Sequence, residues 1–175
     1  MIFACKNDIK EVQKMIDAKE FPIKTTYKAE YFYTDSGKVK NKLFSNKLER
    51  FAGDTNYTKL TNGFSLSFFD DNQKLEATLT AKNGFIIDSK NYMEAKDSVV
   101  FVNNKGEKLF TEQLIWMQDS DLVYTTKPVT ITSENGVLYG KGLRSNQNFS
   151  KYKILNTTGS ADFEKDKIQG NEKNK

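Results

Sequence analysis

Turn signals recur along most of this chain and leave little room for helix. Between residues 27 and 155, clusters of Asp, Asn, Ser or Gly interrupt the sequence about every ten to sixteen residues, and apolar and polar side chains alternate between them. This alternation is typical of half-buried β-strands, because successive side chains of a strand point to opposite faces. It predicts an all-β fold, in the form of an antiparallel sandwich, roll or barrel. Residues 53–63 are polar, and we interpret them as a loop.

One short phrase occurs twice. Residues 79–86 and 131–138 each carry Asn-Gly between alternating apolar residues, fifty-two positions apart. Asn-Gly supplies the two positive-φ residues of a type I′ turn, so the phrase predicts two similar β-hairpins stacked as rungs. With two-residue turns, the predicted cross-strand pairs are Ala81 with Ile86 and Ser133 with Leu138.

The two predicted hairpins share an apolar face. Period-two geometry places seven side chains on that face: Ala77, Leu79, Ala81, Ile86, Val129, Ile131 and Leu138. Such a stripe is ordinarily sealed core. Its small residues leave room for a guest, and they equally suit a core that packs around aromatic side chains.

Composition argues against several classes of function. The chain has no histidine, which removes the commonest general base and metal ligand, and its single cysteine allows no internal disulfide and no thiolate zinc site. No carboxylate pair, phosphate loop or nucleophile-base pair stands out. We therefore predict a protein that is not an enzyme and holds no cofactor or metal. The net charge of +4 is interspersed along the sequence, which argues against nucleic-acid binding.

The two ends of the chain differ from the middle. We predict an N-terminal anchor and spacer segment (residues 1–22), a β domain (23–159) and a disordered, charged tail (160–175). Residues 2–5 resemble the end of a bacterial lipoprotein signal, in which case Cys5 is lipidated; the alternative is a buried or incidental thiol. A short amphipathic helix is predicted ahead of the first strand, with a stripe made of Ile9, Val12 and Ile16.

The order of the β segments resembles the LptC family. The resemblance covers roughly residues 27–159 and rests on an ordered set of segments rather than on one motif. These segments are 33–37 (YTDSG) before a long strand, then 64–70, 75–81, 111–116, 121–123, 128–131, 140–145 (GKGLRS) and 152–154.

The resemblance implies an open, twisted antiparallel β-jellyroll whose apolar interior holds the acyl chains of lipid A. LptC proteins take lipopolysaccharide from the inner-membrane transporter LptB2FG and pass it to LptA, through jellyrolls that join edge to edge. It also implies a periplasmic protein anchored to the inner membrane of a Gram-negative bacterium. Family members usually carry an N-terminal transmembrane helix. This sequence departs from that pattern, and a lipid anchor on Cys5 or a missing N-terminus would each account for the departure.

On this interpretation large apolar side chains line a lipid groove. Tyr152 enters the set on the resemblance, and the inward direction of Leu66, Phe68 and Phe101 is assumed. The predicted ligand-binding residues are Leu66, Phe68, Leu79, Ile86, Phe101, Val129, Ile131, Leu138 and Tyr152.

Two alternatives stay open from the sequence. An unrelated lipid-binding lipoprotein with a closed barrel would lack unpaired strands, whereas an open jellyroll has two sheet edges. A ligand-free structural or adhesive surface module would have a fully packed core.

Overall fold

A computed structural model of the chain describes residues 21–147, 149 and 151–157, and most of that part is β-strand. The all-β prediction is therefore confirmed. The predicted N-terminal helix, Cys5 and the predicted tail lie outside the described residues. The strands are β1 (Lys24–Asp35), β2 (Lys38–Phe51), β3 (Tyr57–Phe69), β4 (Leu75–Ala81), β5 (Asn83–Ile87), β6 (Tyr92–Asn103), β7 (Lys108–Met117), β8 (Leu122–Ser133), β9 (Gly136–Ser145) and β10 (Tyr152–Ile154).

All ten strands belong to one antiparallel sheet. Its order follows the sequence from β1 to β10, except that β4 and β5 share one position between β3 and β6. Among the described residues, β1 pairs only with β2, and β10 pairs only with β9. The described sheet therefore has two edges.

A row of bulges crosses this sheet near the middle of its strands. Bulges bend and twist a strand, and residues with positive φ mark many of them here. The irregular positions lie around Lys28 in β1, Asn46 in β2, Asn62 and Gly63 in β3, Lys82 between β4 and β5, Asp97 and Ser98 in β6, 112–114 in β7, 126–127 in β8 and Gly142 in β9. We call the half-sheet that contains β4 leaf A (29–45, 64–81, 99–111 and 128–141) and the half that contains β5 leaf B (24–27, 47–61, 83–96, 113–125, 143–145 and β10).

The sheet is folded along the row of bulges, so that the leaves face each other. The ring centroids of Phe68 in leaf A and Trp116 in leaf B are 6.2 Å apart. Through the strand pairings, however, Trp116 aligns with Met93, Ile86 and finally Thr58, which lies ten residues before Phe68 in β3. Ten residues of extended strand span about 33 Å. Only a folded sheet brings the two rings into contact.

The first Asn-Gly does not form the predicted hairpin. Asn83 and Gly84 begin β5, which continues the line of β4 after a break at Lys82, and neither residue has positive φ. The predicted pair of Ala81 with Ile86 is therefore wrong. Glycine is required at position 84 for space, because a Cβ there would lie 2.8 Å from Phe64 Cε1.

The second Asn-Gly lies in a real hairpin, but its pairing differs from the prediction. The loop residues are Glu134 and Asn135, so Ser133 pairs with Gly136 and Leu138 pairs with Ile131. The predicted partner of Leu138 is wrong by two residues. Because a shift of two residues keeps each side chain on its face, Ile131 and Leu138 still point inward.

Two positive-φ loop residues do join a hairpin elsewhere. Ser36 (φ 51°) and Gly37 (φ 76°) connect β1 to β2, with Asp35 opposite Lys38. The sequence correctly places a turn there, and this is the pair of conformations that a type I′ turn needs.

Candidate functional site

The interior between the leaves brings together all nine predicted ligand-binding residues. Leu66, Leu79, Phe101, Val129, Ile131 and Leu138 are buried there, all on leaf A. Phe68, Ile86 and Tyr152 are partly buried and pack against the same cluster. Leaf B supplies side chains that the prediction omits, among them Leu60, Met93, Leu114, Trp116 and Leu143. The role of the nine residues in binding stays a prediction.

Ile86 reaches this interior for a reason that differs from the prediction. Leu79 and Ile86 are an odd number of residues apart, so an unbroken strand would place them on opposite faces. The break at Lys82 reverses which of the alternate residues face inward. Ile86 therefore packs with the interior cluster, while Phe85 and Ile87 point outward.

Two small cavities of the interior are lined by described residues. The larger, about 30 Å³, lies between leaf A and leaf B and is lined by Leu66, Phe68, Leu79, Met93, Ala95, Leu114, Trp116, Val123, Gln147 and Phe149. The smaller, about 20 Å³, is lined by Phe101, Asn103, Glu107, Lys108, Leu109, Ile131, Leu143, Phe149 and Tyr152. Each has room for roughly one water-sized guest.

Trp116, which lines the larger cavity, carries a buried donor without a partner among the described residues. The indole N–H of Trp116 is buried, and no acceptor among the described residues takes its hydrogen bond. Leaving such a group unpaired costs free energy, and most buried polar groups in proteins are paired. A ligand with an acceptor oxygen at this point would satisfy it.

The smaller cavity has a polar side. Asn103 Nδ2 donates a hydrogen bond to Glu107 Oε2 at 2.7 Å, and Lys108 lies beside them. Burial, and then the negative charge of Glu107, raises the pKa of the Tyr152 hydroxyl. Tyr152 is therefore a neutral phenol at physiological pH. This cavity is therefore lined mainly by apolar side chains, with the neutral Tyr152 hydroxyl and the charged Glu107 and Lys108 among its lining residues.

Sequence reasoning missed an aromatic cluster on the outer face of leaf B. Tyr57 stacks between Phe51 and Phe85, with ring centroids 4.7 and 5.0 Å away, and the Lys59 ammonium lies 5.0 Å from the Phe51 ring centroid. Since β3 begins at Tyr57, the loop predicted at 53–63 is wrong for residues 57–63. The signal that could have found the strand is the high β-propensity of Tyr57, Thr58 and Thr61.

A buried carboxylate lies next to this cluster. Glu94 is only 2% exposed; it accepts hydrogen bonds from the Tyr92 hydroxyl at 3.1 Å and from Gln113 Nε2, and its Oε1 lies 3.5 Å from Lys96 Nζ. These partners satisfy the charge. Glu94 is therefore a structural member of leaf B rather than part of the interior.

Replacing Glu94 with alanine is expected to lower the free energy of unfolding by about 2–3 kcal/mol, because the substitution leaves Tyr92 and Gln113 without their acceptor. Urea unfolding followed by circular dichroism measures the loss. The matched control is Glu112→Ala on the same sheet, since Glu112 is exposed and accepts one long hydrogen bond of 3.3 Å. Equal losses for the two variants would contradict the role of Glu94.

Alkaline pH is expected to destabilise the fold through buried tyrosines. Burial first, and then Glu94, raises the pKa of Tyr92 and of Tyr124 above the ordinary value of about 10. Above that pH the unfolded chain releases these protons while the folded chain retains them, so the free energy of unfolding falls as pH rises. In urea titrations between about pH 9 and 11, Tyr92→Phe should show a shallower decline than wild type. The exposed-site control Tyr139→Phe should follow wild type.

No helix among the described residues is long and apolar enough to cross a membrane. Nor do three or more carboxylate, thiol or imidazole side chains come together in that part of the chain as a metal site would need.

A comparison with known protein families matches most of the chain. The model of the LptC family, described as lipopolysaccharide-assembly, LptC-related, matches residues 3–161. The matched span includes every strand of the sheet. No curated protein matches the chain.

Proposed function

Because this chain belongs to the LptC family of lipopolysaccharide-assembly proteins, we propose that it carries lipopolysaccharide by holding lipid A acyl chains between leaf A and leaf B. The family is a component of lipopolysaccharide transport, acts in the periplasm in association with the inner membrane of Gram-negative bacteria, and is not an enzyme family. The folded sheet with its apolar interior is the observation that supports acyl-chain binding by this chain.

A carrier of this kind needs no chemical reaction, because burial of the acyl chain is enough to hold it. Burying one acyl CH₂ is worth about 0.8 kcal/mol, so a whole chain is very costly to leave in water. Transfer between two similar apolar interiors is nearly neutral, because the same methylene groups are buried before and after. Direction then comes from an ATPase elsewhere in the transport system, and this protein supplies a dry passage.

The pattern of backbone hydrogen bonds favours an open passage between the leaves over a closed barrel. Apart from the pairs of β3 with β5 and β4 with β6, the strand pairings run between sequence neighbours, and within the described residues β1 does not pair with β10. In the described part of the chain, backbone hydrogen bonds join strands within a leaf or at the row of bulges, and none joins the free rim of leaf A to that of leaf B. The leaves can therefore separate at their rims without loss of sheet hydrogen bonds.

The two sheet edges support partner binding by strand addition. An unpaired edge strand offers a row of main-chain donors and acceptors to a strand from another chain. β1 also exposes the aromatic side chains of Tyr27, Phe32 and Tyr33. We propose that β1 and β10 pair with strands of LptB2FG and LptA, which would place the apolar interiors of successive proteins in line.

Site-specific photocrosslinking in the host tests the binding proposal. A photoreactive residue at Leu79 or Ile131, both buried in the interior, should form a lipopolysaccharide adduct on irradiation. The same residue at Thr80 or Thr130, the neighbours on the outer face, provides the matched control and should form far less. Absence of an adduct at both interior positions, in variants that fold and reach the envelope, would exclude acyl-chain binding between the leaves. A ligand-free structural module predicts that result.

A further inference from the structure

Phe149 separates the two interior cavities. Of the described residues it alone lines both of them, and its ring stacks on Phe101 with centroids 4.0 Å apart and planes 29° apart. The other residues around the larger cavity lie in strands, apart from Gln147, which belongs to the same connection between β9 and β10 as Phe149. A loop side chain therefore fills the centre of a space that strands otherwise enclose.

The base of this connection is fastened to leaf B. The Asn146 N–H donates to Lys151 O at 3.2 Å, and the Lys151 N–H donates to Asn146 Oδ1 at 3.0 Å. The Gln147 N–H donates to Asp121 Oδ1 at 3.0 Å in the turn before β8. These hydrogen bonds fix where the connection leaves and rejoins the sheet, so the Phe149 ring can move while its two anchors stay in place.

The backbone of Phe149 is strained. Its φ of 53° lies in the left-handed region, which a bulky residue rarely adopts. One backbone hydrogen bond, from the Phe149 N–H to Asn146 O at 3.1 Å, and the stacking on Phe101 oppose that strain. Strain of this kind persists where the surroundings enforce it, and here it holds an aromatic ring between the leaves.

We propose that Phe149 is an internal plug, which occupies part of the acyl-chain path in the unloaded protein and is displaced by an entering chain. This inference rests on the proposed function. Cavities of about 20 and 30 Å³ are too small for an acyl chain, so a chain has to displace side chains that fill the interior. Moving a strand residue would break sheet hydrogen bonds, whereas the specific contacts of Phe149 with described residues are its stacking on Phe101 and one loop hydrogen bond.

The plug makes binding depend on chain length. Burial of a Phe side chain is worth about as much as burial of two to four methylene groups. An entering chain must bury more than that before displacement becomes favourable, so a chain of only a few methylene groups is rejected and a longer one is accepted. Phe149 would thus be a specificity-determining residue, selecting the long saturated chains of an envelope lipid over short amphiphiles.

The single tryptophan provides a direct readout in the full chain. Trp116 lines the larger cavity together with Phe149, and the chain has no other tryptophan. A fatty acid brominated on its chain quenches indole fluorescence on contact, so a titration reports entry into the interior. The probes are brominated dodecanoic and hexadecanoic acids. The variants are Phe149→Ala, Phe149→Leu and the control Phe110→Ala, since Phe110 lies exposed in β7.

We expect Phe149→Ala to bind the dodecanoic and the hexadecanoic probes each at least about tenfold more tightly than wild type, because the cost of displacing Phe149 is the same for both chains. Phe149→Leu should lie between, and Phe110→Ala should match wild type. Saturable quenching that is equal in wild type and in the Phe149 variants would overturn the plug and leave the proposed function standing. Absence of quenching in every folded variant, with either probe, would overturn both. Phe149→Leu, which keeps an apolar side chain in place, carries the test if Phe149→Ala unfolds.

Discussion

Replacing Leu60 with alanine is expected to lower the free energy of unfolding by about 3–4 kcal/mol. Leu60 is completely buried (0% exposed) in β3, on the inner side of leaf B, where its Cδ1 lies 3.1 Å from the position that a Cβ on Gly84 would take. Its truncation removes buried methyl groups and leaves a cavity that surrounding strands fill only in part. Urea unfolding monitored by circular dichroism should show a lower midpoint with an unchanged slope.

The same substitution at Leu75 serves as the control. Leu75 begins β4 but is 52% exposed, so Leu75→Ala should change the free energy of unfolding by no more than about 0.5 kcal/mol. If the two variants lost equal stability, the inner side of leaf B would not be the packed interior described above.

Adding a single methyl group at Gly140 is expected to detach β10. A Cβ at this position would lie 2.1 Å from Ile154 Cγ2 and 3.0 Å from the carbonyl oxygen of Leu155. The branched Ile154 side chain has few alternative rotamers, and the Leu155 carbonyl is main chain, so β10 has to move. We expect a loss of about 2–3 kcal/mol, which is the upper range for overpacking.

Amide hydrogen exchange locates that effect. The Lys141 N–H donates to Leu155 O, and the Leu155 N–H donates to Gly142 O, each at 2.9 Å. In Gly140→Ala these two amides should lose protection, while amides of β3 keep theirs. Adding Ile154→Ala should restore part of the stability, because the side chain in closest conflict is shortened. Uniform loss of protection across the sheet would show that the damage is global rather than confined to the edge.

Much of the fold can be predicted from local sequence. The clusters of Asp, Asn, Ser and Gly that predict turns include Asp35–Gly37 and Asp119–Asp121, and both lie between strands in the structure. The inward direction predicted for Ala77, Leu79, Ala81, Val129, Ile131 and Leu138 is also correct, because all six lie in leaf A, where the period-two alternation is unbroken. Local chemistry suffices wherever a strand is straight and each turn is short.

The row of bulges explains where sequence reasoning fails. In β3 the inward side chains on either side of the irregularity, Leu60 and Phe64, are an even number of residues apart, as in a regular strand. In β7 the inward side chains Thr111 and Leu114 are an odd number of residues apart. A change of phase in mid-strand looks like the end of a strand. At Lys82 the Asn-Gly that follows also predicts a turn, although β3 and β6 pair with the chain on both sides of Lys82. Pairing with two neighbouring strands outweighs a local turn preference, and it depends on residues far away in the sequence.

Phe149 and the outer aromatic cluster could not be predicted for a related reason. Phe149 meets Phe101 only because the leaves face each other. Phe51 and Phe85 join one cluster only because Tyr57, on the strand between theirs, stacks on both rings. Neither contact leaves a periodic trace in the sequence. Features that arise from the folding of the sheet as a whole become visible only in three dimensions.

The row of bulges also sets a length. It runs across the strands, from the β1 edge to the β10 edge, and neighbouring strands lie about 4.8 Å apart. Nine strand positions therefore give the protein a span of about 40 Å along this direction. If cargo moves parallel to the fold line, each copy of such a protein carries it that far, and the number of copies joined end to end fixes the distance that can be crossed.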